Sequence, residues 1–65
     1  MGEQFWLVSF TWNRHGYPEI NRSQEVWMGT LAEWMKRAIE QPEHWHLVFA
    51  TPINQEEYEE LRDLI

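Results

Sequence analysis

The hydrophobic period of this 65-residue chain switches repeatedly between two residues and about 3.6, and each switch marks the edge of a structural element. From Phe5 to Trp12, the residues Trp6, Val8, Phe10 and Trp12 share one side and Phe5, Leu7, Ser9 and Thr11 the other. Alternation with aromatic enrichment predicts a strand, and apolar residues on both sides near its start predict a central one. Asn13-Arg14-His15-Gly16-Tyr17-Pro18 supplies turn chemistry, because Gly16 accepts positive φ and Pro18 resists helix. From Glu19 to Met28 a more polar alternation predicts an edge strand, with Ile20, Arg22, Gln24, Val26 and Met28 opposite Glu19, Asn21, Ser23, Glu25 and Trp27.

After Gly29, the run Thr30-Leu31-Ala32-Glu33 has capping-box spacing, and Leu31, Trp34, Met35, Ala38 and Ile39 recur at helical intervals. Pro42 ends that helix. His44 to Thr51 returns to period two, with Trp45, Leu47 and Phe49 on one side and His44, His46, Val48 and Ala50 on the other, before Pro52 stops it. Asn54 with Glu57 three residues later starts a second helix, whose apolar stripe is Tyr58, Leu61, Leu64 and Ile65.

The order ββαβα defines one small α+β domain over residues 1–65. A hairpin followed by a helical crossover predicts a three-stranded antiparallel sheet in the order 2-1-3, with the usual right-handed crossover. Both helices are expected on one face, over Trp6, Val8, Phe10, Trp12, Trp45, Leu47 and Phe49. The opposite face is then expected to expose Phe5, Leu7, Trp27, His46 and Val48, an aromatic surface suited to a protein partner or to a homodimer.

Composition narrows the function. There is no Cys, so neither a disulfide nor a thiolate metal site supports a domain this small. With 11 acids against 5 bases the net charge is −6, which disfavours direct binding to nucleic acid or to anionic membranes. The N-terminal Met1-Gly2-Glu3-Gln4-Phe5 has no basic region ahead of a long apolar core, so neither a leader nor a membrane span is expected, and a reducing cytoplasm is the default location.

Catalytic chemistry has little support. No phosphate loop or Ser-His-Asp spacing is present, and the carboxylates cluster on a short helix rather than around a cleft. No enzyme and no cofactor are therefore expected. His44-Trp45-His46 places two imidazoles on one strand face, a spacing that holds a transition metal when His15, Glu43 or Glu25 adds a third ligand. The favoured reading of His44 and His46 is a solvated or interface face. Charge distribution is more informative: residues 55–65 hold five acids and one base, a net −4 on one element. Glu56, Glu59, Glu60 and Asp63 are its candidate binding residues, an anionic stripe suited to a basic cleft that otherwise holds nucleic acid.

The aromatic strand Phe5-Trp6-Leu7-Val8-Ser9-Phe10, the polar second strand, the helix around Glu33-Trp34-Met35-Lys36, the strand His46-Leu47-Val48-Phe49-Ala50 and the acidic final helix form one pattern. In this pattern the chain resembles the small acidic proteins of bacteriophages and prophages, some of which inhibit host enzymes or host defence. The resemblance implies a non-enzymatic inhibitor or adaptor that binds a protein. A small structural or homodimeric regulatory protein, and a His-based metal module, are the alternatives.

Overall fold

The computed structural model describes residues 3–65; Met1 and Gly2, the start of the N-terminal stretch read above, lie outside the described residues. The elements are β1 (Phe5–Asn13), β2 (Asn21–Met28), α1 (Leu31–Ile39), β3 (His44–Ile53) and α2 (Gln55–Leu64). They form a ββαβα domain with a three-stranded antiparallel sheet in the order β2-β1-β3, as the period changes predict. β1 is central, and Val8, Ser9 and Phe10 in its middle are buried.

The α1 face of the sheet carries the core. Val8 (0% exposed) and Trp34 (1%) are fully buried, with Phe10 and Ala38 beside them. The Phe10 ring stacks on Trp45 at 4.4 Å and tilts against Trp34 at 5.5 Å. Aromatic pairs of this geometry add to simple area burial, a gain that matters in a domain without covalent staples. The indole N–H groups are tied down as well. Trp34 donates to the Glu25 carboxylate, Trp12 to Ser23 Oγ at 2.9 Å, and Trp6 to the Gly29 carbonyl at 3.1 Å.

Gly29 is needed where it stands. Its φ of +132° turns the chain from β2 into α1, and an added Cβ would lie 3.1 Å from the Glu33 carboxylate. Thr30 then caps α1 by accepting from the Glu33 amide at 3.2 Å. In α2 the capping box is complete: Glu57 N–H donates to Asn54 Oδ1 at 2.8 Å, and Asn54 N–H to Glu57 Oε1 at 3.2 Å.

Three expectations are corrected by sheet geometry. The first concerns Trp27, which pairs with Trp6 across the β1–β2 ladder. Directly opposed residues share a face, so Trp27 lies on the α1 side and not beside Phe5 and Leu7. There its indole donates to the Thr30 carbonyl, and the Arg37 guanidinium sits over its ring at 5.5 Å.

The second concerns Phe49. Ser9 pairs with Phe49 but Phe10 pairs with Leu47, so Val48 is an extra residue in β3, a β-bulge. The bulge reverses the side on which each later residue points. Ala50 joins the core side, while Phe49 moves to the opposite face, half-exposed.

The third concerns α2. Its Tyr58 ring packs on Phe5 at 5.0 Å, and Phe5 belongs to the face opposite Val8 and Phe10. The two helices therefore sandwich the sheet, α1 on one face and α2 across β1 and β2 on the other. The one-residue link from Ile53 to α2 at Asn54 leaves the helix on the side where Phe5 and Leu7 offer apolar surface.

Candidate functional site

The acidic residues read from the sequence come together. α2 starts on the Asn54 cap, and its apolar side is held by Tyr58 on Phe5 and by half-buried Leu61. That orientation turns the other side outward. Glu56, Glu59, Glu60 and Asp63, spaced at i, i+3, i+4 and i+7, line one shallow depression of about 240 Å³ and are all exposed. Glu57 is excluded from this set because it serves the cap.

Among the described residues no cation lies at ion-pairing distance from these four carboxylates. Arg62, the base on the same helix, sits over the Tyr58 ring at 5.7 Å. Among the described residues the ion pair present is Arg37–Glu25 at 3.3 Å, on the far side of the sheet. Within the stripe, Gln55 Nε2 donates to Glu59 Oε1 at 3.5 Å. A row of exposed carboxylates with no cation paired to them among the described residues is a surface suited to a cationic partner.

The residues expected to make an aromatic surface do not. Phe5 lies beneath Tyr58, Leu7 is half-buried on the same face, His46 is exposed opposite Thr11 on that face, and Trp27 is on the other side of the sheet. The histidines are partly gathered. His15 and His44 have ring centroids 5.9 Å apart, and His46 shares the strand face of His44. Glu25 is committed to Trp34 and Arg37 on the α1 side, so it is no ligand partner for them. Among the described residues no group of three or more His, Asp or Glu side chains converges as a metal site.

One surface was read only in part: Val48 was expected to be exposed on the face shared by Phe5, Leu7 and Ser9, whereas Phe49 was expected on the core side. Val48, Phe49, Leu64 and Ile65 wall a groove of about 560 Å³, with Ser9 in its floor and Arg22 beside it. The bulge at Val48 brings Phe49 onto this face. The consecutive apolar residues Leu47-Val48-Phe49 are the one signal in the sequence, since strict alternation has no use for the middle one.

Among the described residues no helix is long and apolar enough to cross a membrane. Comparison of the chain with protein-family models, with curated proteins and with solved structures finds no match.

Proposed function

We propose that this chain is a non-catalytic protein-binding domain that occupies a basic surface with the outward carboxylates of α2. We further propose that it acts as a phage-type inhibitor of a nucleic-acid-handling host or defence complex. The observation that carries this reading is the exposed, unpaired stripe of Glu56, Glu59, Glu60 and Asp63. Its charge density supports the choice of partner. Seven helical steps from Glu56 to Asp63 span roughly 10 Å at about 1.5 Å per residue. One strand of a duplex sets four phosphates over roughly the same distance, at about 3.4 Å each. The stripe therefore offers a basic channel a charge per unit length comparable to one strand's, and the long-range attraction between the two speeds the encounter.

Capture of partners from a bacterial lysate, with the tagged chain and with Glu56, Glu60 and Asp63 changed to Gln, tests the proposal. A basic, nucleic-acid-handling partner retained by the wild type and lost from the variant supports it, as does its release by added nucleic acid. A partner held equally by both proteins contradicts the role of the stripe.

A further inference from the structure

Two imidazoles from different elements meet just beyond the end of the β1–β3 ladder. Asn13 of β1 pairs with His44, the first residue of β3, and the chain then leaves the sheet in a turn closed by Tyr17 N–H donating to the Arg14 carbonyl at 3.0 Å. Gly16, with φ of +87°, makes the corner of that turn and places His15 directly before it. The His15 and His44 rings lie with centroids 5.9 Å apart, tilted by 46°. Both residues are exposed, and among the described residues neither ring has a hydrogen-bond partner or a carboxylate at ion-pairing distance.

That spacing is close to what a single metal ion requires. Zinc binds an imidazole nitrogen at about 2.0–2.1 Å, which puts each ring centre roughly 3.2 Å from the ion and two tetrahedrally placed rings roughly 5.2 Å apart. The observed separation is wider by less than about 1 Å, a gap that small side-chain rotations of exposed residues close without touching the ladder. Ring nitrogens with no other partner are available as donors. They also select the class of ion, because imidazole suits Zn²⁺, Ni²⁺ and Cu²⁺, whereas Mg²⁺ and Ca²⁺ take oxygen ligands. The net charge of −6 favours the approach of any cation.

We propose that His15 and His44 form a two-nitrogen chelate for a divalent transition-metal ion of the zinc and copper class. One ring nitrogen of each residue binds the ion, and water fills the remaining positions. The pairing joins the turn after β1 to the start of β3, in place of the His44 and His46 pair along one strand that the sequence brings forward. It rests on neither the acidic stripe of α2 nor a protein partner.

Titration of the untagged chain with Zn²⁺, followed through the imidazole C–H signals in NMR spectra, is the experiment. Saturable binding is expected, with the His15 and His44 signals moving together and Mg²⁺ at the same concentration leaving both in place. His15→Gln and His44→Gln are each expected to weaken binding by about tenfold or more, because each reduces the chelate to a single ligand. His46→Gln is expected to change it little. All three residues are exposed, so each variant keeps the wild-type amide spectrum outside its own neighbourhood. Wild-type signals that fail to saturate below about millimolar Zn²⁺ overturn the proposal. So do signals moved equally by Mg²⁺, the mark of diffuse attraction to an acidic chain, or a loss in His46→Gln as large as that in His15→Gln.

Discussion

The two faces of the sheet are covered by helices of nearly equal length, yet they hold the protein together to very different degrees. α1, nine residues, buries Trp34 and Ala38 in an aromatic cluster; α2, ten residues, buries none of its residues. On the α1 side each of Trp6, Trp12, Trp27 and Trp34 has its indole N–H bonded, and the carboxylate of Glu25 links strand to helix. On the α2 side the main aromatic contact is Phe5 on Tyr58, and the last apolar residues of the helix face solvent. Stability is thus concentrated on one face. The other is left free to present charge and apolar surface outward, because a helix that contributes little to the core tolerates a sequence chosen for its exposed side.

The contrast is broken most severely at Trp34. Trp34→Ala removes the centre of the aromatic cluster and leaves a cavity, a change that costs about 3–5 kcal/mol in comparable sites. With no covalent support, the variant is expected to be largely unfolded by circular dichroism at room temperature. Tyr58→Ala, the nearest counterpart on the α2 side, removes a half-buried ring and is expected to cost about 1–2 kcal/mol in urea denaturation. Equal losses at the two positions would contradict the asymmetry.

Much of this asymmetry was not legible in the sequence, for identifiable reasons. Element order, sheet order and both helix caps follow from period changes and local hydrogen-bond chemistry, which are properties of neighbouring residues. The face on which an element lies depends on longer-range parity. Pairing Trp6 with Trp27 rather than with Met28 decides the side of the second strand, and no residue in the hairpin loop announces that choice. A single bulge at Val48 then displaces Phe49 from the expected core and admits Ala50. The acidic stripe was legible because helical spacing alone gathers Glu56, Glu59, Glu60 and Asp63. The side of Phe49 in the apolar groove was not, because it depends on the bulge at Val48.

Smaller changes sharpen the comparison. Glu25→Ala leaves the Trp34 indole N–H without its acceptor and Arg37 without its ion pair, and is expected to cost about 1–3 kcal/mol. Glu25→Gln keeps an acceptor oxygen and is expected to cost less, so the difference between the two isolates the hydrogen bond. Asn54→Ala removes half of the α2 capping box, with an expected loss of about 1 kcal/mol, or less if α2 frays before the domain unfolds. Leu64→Ala is expected to shift the denaturation midpoint least, by no more than about 0.5 kcal/mol in stability, as for other exposed positions.

Native-state amide hydrogen exchange resolved by residue tests the division of labour between the faces most directly. In dilute protein, amides of β1 from Leu7 to Phe10 and of α1 near Ala38 are expected to exchange only through global unfolding. Those of α2 from Tyr58 to Leu64 are expected to exchange through a local opening that costs much less and depends little on denaturant. Protection of the α2 amides equal to that of β1, with the same denaturant dependence, would show that both helices belong to one cooperative core and would contradict the two-face division.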